Sequence, residues 1–499
     1  MYDHALRKFQ EISALLNSSL QQAEIRKRAI EAATVLMDAE AGSLLLLDEP
    51  AGELYFEVAH GQKGDQVREI RLKSGQGIAG YVAQTGEPVI VNNAQNDPRF
   101  FRRADHKSGF VTRNIVCVPV KAHAKLIGVL QAINRNHGGL FDEEDLQNCV
   151  ALGHQVGIAI ENANLYEEIR GLFEGFISAS VQAIESRDPS TSGHSNRVAI
   201  LTCQLAEIVN QVDSGPYASI HFDEDQMREI RYAAVLHDFG KVGVREHILV
   251  KARKLYPAQQ ELLKARFDFI KRTLEVQMLR RKVEMLLSGK RTGTNGLLSQ
   301  IDRELARRTK EVDGMFGFLM KCNQPDATPR GGFGRLHEIA QLQFESFDGV
   351  QPYLTQEELI TLSLPRGTLI ADERREIESH VTHTHDFLSK IPWTKSLQNV
   401  PTIALSHHEK LDGSGYPRHI SGELIPIQAR IMTICDIYDA LTASDRPYKA
   451  AVPTSVALTI LEENAKQGQL DPTLLDLFVE AKVYQVIQPS FRNPKAVHA

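Results

Sequence analysis

The spacing of apolar positions divides the chain into two differently built halves. From residue 1 to about 40, Leu6, Phe9, Ile12, Leu16 and Leu20 recur at helical intervals and predict a helix. Between 42 and 135 the period shortens. AGSLLLLDE, ELYFEVAHG, EPVIVNN, NIVCVPVKA and KLIGVLQAIN read as strands bounded by Gly, Asp, Asn and Pro, with GQGIAGYVAQTG as a short helix among them. This order predicts an α+β domain built on an antiparallel sheet. After Asp188 the pattern is all-helical, and histidines mark its breaks.

One helical pattern without proline joins the halves, from Asp142 to about Glu185. Ile158, Leu165 and Leu172 fall seven apart, as do Asn162, Ile169 and Phe176, which gives a coiled-coil seam with one polar position. Such a helix either packs on its own domain or pairs with a second copy and passes a signal onward. The lack of a Gly/Ser linker favours the second reading, because a flexible linker would not transmit rotation. Further on, residues 257 to about 320 read as two long helices around SGKRTGTNG (288–296), followed by the Pro/Gly-rich loop NQPDATPRGGFGR. Residues 251–310 hold 16 Lys/Arg against 6 Asp/Glu. A run of this kind reads first as a solvated helix face, and second as a basic docking surface for an acidic partner, membrane or nucleic acid.

Composition narrows the function classes. The chain has 499 residues, enough for about three domains at roughly 150 residues each. Apolar residues at 42% and charged residues at 24% exclude a wholly disordered chain. A net charge of −6 argues against a protein that coats nucleic acid, and no DNA partner is expected. No apolar run approaches the roughly 18 residues needed to span a bilayer. The start, MYDHALRKFQ, lacks the apolar core of a secretory signal. Cys117, Cys149, Cys203, Cys322 and Cys435 are scattered and odd in number, which points to a reducing cytoplasm.

The candidate chemistry lies in the helical half. His194 stands in TSGHSNRV, His237-Asp238 in VLHDFGKVGV with Lys241 a turn on, and His380 in EIESHVTHTHDFL. His407-His408 stand in LSHHEKLDGSGYP and Asp436 in ICDIYDALTASDRPYK. Imidazoles with carboxylates and no thiolate suit Mn, Fe, Co, Ni or Zn. On a helix, an HD pair can serve both sides of a metal pair. Adjacent histidines on a helix diverge by about 100° and so serve two metals, or a metal and a substrate, more easily than one. Each histidine alone would pass for a surface or hydrogen-bonded core residue. The joint pattern is what points to a metal site.

HDFGK, then HHEKLDGSGYP, then DIYDALTASDRPYK resemble the HD-GYP subgroup of HD-domain metal-dependent phosphohydrolases, over about 175–490 apart from an insertion at 257–365. The resemblance implies an all-α domain that hydrolyses cyclic di-GMP, a bacterial second messenger, to pGpG or GMP through a hydroxide bridging two metals, Fe or Mn. Carried over by position, the ligands are His194, His237, Asp238, His380, His407, His408 and Asp436, with Asp238 and Lys241 as the catalytic pair. Arg446 and Lys449 would grip the phosphates, and Gly415-Tyr416-Pro417 would shape the loop beside the substrate. Three-metal members place a Glu four residues before the first His, where this chain has Ser190. Glu185 is the candidate for that role, and two metals are expected over three. One extra residue, Ala443 or Ser444, precedes Arg446, and the family's KPGKL reads KARKL at 251–255. An intact metal cluster used only as a cyclic di-GMP receptor or docking protein, or a hydrolase of another cyclic dinucleotide, are the alternatives.

Residues 1–165 contain GQGIAGYVAQTGEPVIVNNAQNDPRF, NIVCVPVKAHAKLIGVLQAINR and FDEEDL, and resemble a GAF sensor domain. The resemblance implies a small-molecule sensor or a dimer module. Asn134-Arg135, Phe141 and Asp145 loosely match a cyclic-nucleotide-binding pattern, with Leu146 in place of the final Glu. Cys117 alternates with apolar residues and reads as core rather than as an anchor. The sequence therefore predicts a cytoplasmic homodimer, paired through 142–185, in which a GAF domain with an unidentified ligand controls the hydrolase.

Overall fold

The computed structural model describes residues 11, 14–16, 21–60, 70–187, 193–288, 294–327, 333–443 and 451–487. The chain divides into two compact units, 1–176 and 177–499. No helix among the described residues is long and apolar enough to cross a membrane.

The first unit is α+β. Helix α1 (Gln22–Leu36) precedes strands β1 (Ala39–Asp48), β2 (Glu53–His60) and β3 (Arg71–Lys73). Then follow α2 (Gly77–Thr85), β4 (Val89–Val91), α3 (Arg103–Ser108), β5 (Ile115–Ala122) and β6 (Lys125–Arg135). The six strands form one antiparallel sheet in the order β3-β2-β1-β6-β5-β4. The five strands read from the sequence are present. Strand β3, only three residues long, was too short to show a period. Both faces of the sheet are covered, so alternate residues of one strand enter two cores. Leu44, Leu46, Val116 and Val118 pack with Ile25 and Ile30 of α1 and with Leu152 and Val156 of the long helix α4 (Glu143–Arg187). Leu45, Cys117 and Val129 pack instead with Ile78 and Val82 of α2. Gly157 of α4 lies against the sheet, and a Cβ there would come 2.2 Å from the Lys121 carbonyl oxygen.

The second unit is mostly helical. Helices α5 (His194–Val209) and α6 (Glu224–Leu236) are followed by a 3₁₀ turn at Phe239–Gly243 and by α7 (Glu246–Leu249). The insertion comes next, with α8 (Pro257–Leu287), α9 (Thr294–Cys322), α10 (Gly334–Gln341), the hairpin β7 (Gln343–Ser346) and β8 (Gly349–Pro352), and α11 (Gln356–Leu362). Then follow α12 (Ala371–Glu378), α13 (His380–Leu388), α14 (Val400–Leu405), α15 (Ile427–Thr442), α16 (Thr454–Lys466) and α17 (Pro472–Glu480).

The β7–β8 hairpin departs from the all-helical expectation. Its four-residue strands carry too little pattern to be read. Most of the expected turn at 288–296, namely 289–293, and part of the following loop, 328–332, lie outside the described residues.

The insertion has its own core, in which Leu263, Phe267 and Ile270 of α8 meet Val312 and Leu319 of α9 and Leu336 of α10. Its expected ends meet through Lys254 and Leu364, and its start is tied to its middle through Leu255 and Asn323. The Leu255 N–H donates to Asn323 Oδ1 at 2.7 Å, and the buried Lys254 ammonium donates to the Leu364 carbonyl at 2.6 Å. The basic run is largely a solvated helix face with partners: Lys271 meets Asp313 at 3.1 Å, Arg281 meets Glu304 at 3.1 Å and Arg307 meets Glu311 at 2.7 Å.

Candidate metal centre

Five separate stretches deliver the expected side chains to one buried place. Gly193, at a positive φ of 68°, turns the chain into α5, and His194 is the first residue of that helix. His237 caps the C-terminus of α6, and Asp238 leaves it at φ −96°, ψ 4°. The HD pair therefore sits at a helix end rather than within a helix, which swings the Asp away from the helical direction. His380 opens α13. His407 and His408 follow the end of α14, so their rings are not splayed as on a helix. The centroids are 4.0 Å apart. Asp436 lies within α15.

Two carboxylates stand among the imidazoles. His194 Nε2 is 3.1 Å from Asp436 Oδ1 and 3.8 Å from Asp238 Oδ2. His237 Nε2 is 3.4 Å from Asp238 Oδ2 and 3.8 Å from Asp436 Oδ1. The other oxygen of Asp238 faces His380 Nε2 at 3.2 Å, without hydrogen-bond alignment. Asp238 thus presents its two oxygens to different histidines. His408 Nδ1 stands 4.0 Å from Asp436 Oδ2. Lys241 Nζ lies 2.8 Å from Asp238 Oδ2.

Three histidines are oriented by one local device. The Nδ1 atoms of His237, His380 and His407 sit 2.7, 2.6 and 2.6 Å from the carbonyls three residues earlier, those of Ala234, Ile377 and Ala404. Donation from Nδ1 leaves the Nε2 lone pair of each ring facing the cluster. All three Nε2 atoms are buried and have no hydrogen-bond partner among the described residues. An unmatched buried polar atom costs about 1–3 kcal/mol, so three converging on two carboxylates describe a cation site. Three triads have ligand atoms within 4.8 Å of one another: His194/His237/Asp238, His237/His407/Asp436 and His380/His407/His408.

The electrostatics match at His237, His407, His408, Asp238 and Asp436, but His194 holds a proton that an ion would have to displace. Burial holds His237 and His407 below the ordinary imidazole range and brings His408 down to about 4, so these rings are neutral at neutral pH. Burial would raise Asp238 and Asp436, but neighbouring cations and imidazoles outweigh it and both stay ionised. Burial also opposes a proton on His194, yet Asp436 and Asp439 outweigh it and lift His194 to about 9.

Several supporting residues were not assigned from the sequence. Asp439 Oδ2 accepts from His194 Nδ1 at 2.7 Å while Arg197 Nε holds Asp439 Oδ1 at 2.7 Å. Thr384 bridges two site segments, accepting from the Gly240 N–H at 2.8 Å and donating to the His237 carbonyl at 3.0 Å. Gly240 has no room for a side chain, since a Cβ there would lie 1.9 Å from the His380 carbonyl oxygen. Buried Glu409 accepts from the Arg418 N–H at 2.6 Å and so ties down the Gly415-Tyr416-Pro417 loop. Sequence signals for three of these existed in retrospect: a glycine two residues after the HD pair, an acid one helical turn after Asp436, and an acid following the HH pair.

Of the remaining candidates, Tyr416 is half-buried with its ring 4.8 Å from that of His408. Gly415 is crowded by backbone of its own loop, with an added Cβ 2.4 Å from the Lys410 nitrogen. Close packing on 408–410 therefore requires a glycine here. Glu185 lies in the last turn of α4, its Oε1 buried without a partner among the described residues. Arg446 and Lys449, with Ser444, lie outside the described residues, as does Ser190. The KARKL lysines are engaged structurally, Lys251 with Glu373 at 2.7 Å and Lys254 with the Leu364 carbonyl at 2.6 Å.

In the first unit, the residues of the loose nucleotide-binding pattern are engaged in contacts within the domain. Asn134 Oδ1 accepts from the Arg113 N–H at 2.7 Å, the Phe141 N–H donates to Asn92 at 3.1 Å, and Asp145 pairs with Arg135. Cys117 is fully buried, and burial pushes its thiol up to about 12, which suits a core residue.

Residues 23–160 match the GAF domain model, and residues 356–474 match an HD domain model. The HD match contains His380, His407, His408 and Asp436, and begins upstream of the insertion end expected at 365. A probable 3′,5′-cyclic phosphodiesterase, pde-5, of Caenorhabditis elegans is 35% identical over 144 residues, 27% of this chain and 20% of the relative. A 3′3′-cGAMP-specific phosphodiesterase 3 of Vibrio cholerae is 46% identical over 106 residues, 21% of this chain and 22% of the relative. The chain thus spans about a fifth of the length of the curated relatives it matches. Among solved structures, the GAF domain of a phosphoenolpyruvate-protein phosphotransferase from Coxiella burnetii aligns with 24% identity and a TM-score of 0.31, covering 33% of this chain and 96% of that one.

Proposed function

We propose that this chain, a GAF domain followed by a helical HD domain, is a metal-dependent phosphodiesterase of cyclic dinucleotides, with cyclic di-GMP as substrate. The observation that carries the reading is the convergence of buried, partnerless Nε2 atoms from His237, His380 and His407 on Asp238 and Asp436. His194, His237, Asp238 and Asp436 would hold one ion, and His380, His407, His408 and the far oxygen of Asp238 a second. With nitrogen and oxygen donors only, Fe or Mn fits. Bound divalent ions supply Lewis acidity and lower the proton affinity of water.

The chain's own groups do the rest. The three carbonyl-anchored imidazoles are held rigid, and burial keeps those of His237 and His407 neutral, so no proton must leave these two before ligation. Lys241, held on Asp238, places positive charge where a phosphate would sit. Burial raises the Tyr416 hydroxyl above its ordinary value, so it remains a hydrogen-bond donor at neutral pH. Water attacks phosphorus in line with the departing ribose 3′-oxygen, giving linear pGpG, and a second cut gives GMP. The similarity to the 3′3′-cGAMP-specific enzyme favours that dinucleotide as the second reading. The free cysteines are consistent with a reducing cytoplasm. The GAF domain would regulate turnover.

The test uses protein purified without oxygen. Two metals per chain are expected, with cyclic di-GMP converted to pGpG or GMP and 3′3′-cGAMP a weaker competitor. Asp238→Ala should lose both metal and turnover while the GAF unit stays folded. Full turnover by that variant would sink the assignment.

A further inference from the structure

Helix α8 has two apolar faces, and only one has a partner among the described residues. Leu263, Phe267, Ile270 and Met278 are buried. Roughly half a turn away, at about 100° per residue, Leu262, Phe269, Val276, Leu279, Val283 and Leu286 are 66%, 39%, 45%, 50%, 52% and 58% exposed. Leu262, Phe269, Val276 and Val283 are spaced by seven, with Leu279 and Leu286 three residues after the last two. That is the a/d pattern of a coiled-coil seam, which a merely solvated helix does not need. Near one end of the stripe Phe347, at the hairpin tip, is 98% exposed and 6.5 Å from Phe269 in ring centroids. At the other end, Leu287 is 80% exposed.

We propose that this outer face of α8 docks antiparallel on the same face of a second copy of the chain. Charge decides both occupant and direction. Arg272 occupies a seam position between Phe269 and Val276. In a parallel pair it would face its own copy, like charge against like. Run antiparallel about a centre between Gln277 and Met278, Arg272 meets Val283 of the second copy. Val276 then meets Leu279, and Phe269 meets Leu286. The flanking Glu275, which meets Arg272 in its own chain, falls beside Lys282 of the second copy, which meets Asp302 in its own, so the contact extends these pairs into a network, twice over by symmetry. The same arrangement brings the Leu286-Leu287 end onto the Phe269–Phe347 patch, so one contact covers both exposed ends. This interface is separate from the α4 seam and does not depend on catalysis.

The experiment is cysteine cross-linking in the full chain. Chains carrying Val276→Cys, mixed with chains carrying Leu279→Cys, should form a disulfide-linked dimer under mild oxidation, whereas neither should cross-link alone. The mixed cross-link should persist when Ile169→Glu and Leu172→Glu disable the α4 seam, and vanish with Val283→Glu and Leu286→Glu. Sedimentation velocity should show association weakened at least tenfold by the latter pair. Cross-linking of Val276→Cys with itself would overturn the antiparallel pairing. Absence of any cross-link would overturn the interface, as would sedimentation unchanged by Val283→Glu and Leu286→Glu. If the face instead bound phosphatidylserine vesicles, with no cross-link and with the two glutamates abolishing binding, it would be a lipid-docking surface and the self-association proposal would fall.

Discussion

Asp439 shows what a single side chain adds to a histidine of the proposed metal site. Its carboxylate fixes which nitrogen of His194 faces the cluster, and Arg197 fixes the carboxylate. Partners of this kind typically change metal affinity by about 10–100-fold. Asp439→Asn should lower metal affinity by about that factor while leaving the helical fold intact, as titration calorimetry and circular dichroism would show. Unchanged affinity would remove Asp439 from the site. The histidines and aspartates that converge here were legible because each sits in a distinctive local string. The groups that orient them were not, because the backbone carbonyls of Ala234, Ile377 and Ala404 carry no sequence signal and Thr384 acts on a residue 147 positions away.

Between elements, the site depends on contacts that leave no spare volume. The turn bearing Asp238 meets the start of α13 backbone to backbone at Gly240. Gly240→Ala must push these apart, which should destabilise the second unit by about 1–3 kcal/mol and reduce bound metal. Denaturant unfolding and metal analysis would check this, and wild-type values in both would refute it. At the base of the insertion, Glu373 accepts from Lys251 Nζ at 2.7 Å, from Tyr256 Oη at 2.5 Å and from the Ile370 N–H at 3.0 Å. Burial opposes its charge, yet these donors hold the carboxyl below its ordinary value of 4.5. A depressed folded value stabilises the fold above the unfolded value, and that contribution is lost as pH falls through the folded one. Glu373→Gln should therefore cost about 1–3 kcal/mol at neutral pH and flatten the loss of stability below about pH 4.5. Parallel pH profiles of the two proteins would show Glu373 plays no such part. Periodicity announced the two long helices of the insertion. It could not announce this clasp, which joins Lys251 and Tyr256 to Glu373 more than 100 residues on.

At the scale of the molecule, α4 is the element that belongs to both units. It contributes Leu152, Val156 and Ile160 to the core of the first, while Ile177, Val181 and Ile184 are buried in the second. The seam read from the sequence is a different set: Ile158, Leu165, Ile169, Leu172 and Phe176 are 42%, 47%, 65%, 76% and 48% exposed in the single chain. Five large apolar side chains left in water along one helix, at heptad spacing, are what a parallel partner would cover. In chains whose α8 face is disabled by Val283→Glu and Leu286→Glu, Ile169→Glu with Leu172→Glu should therefore lower the assembly from dimer to monomer at micromolar concentration. If the dimer is also the route by which the GAF domain acts, turnover should persist in the variant but lose any response to a GAF ligand. Light scattering and turnover assays separate the two statements. A variant that stays dimeric removes the seam from the interface, whereas a monomer with intact regulation removes the seam from signalling and leaves the interface standing.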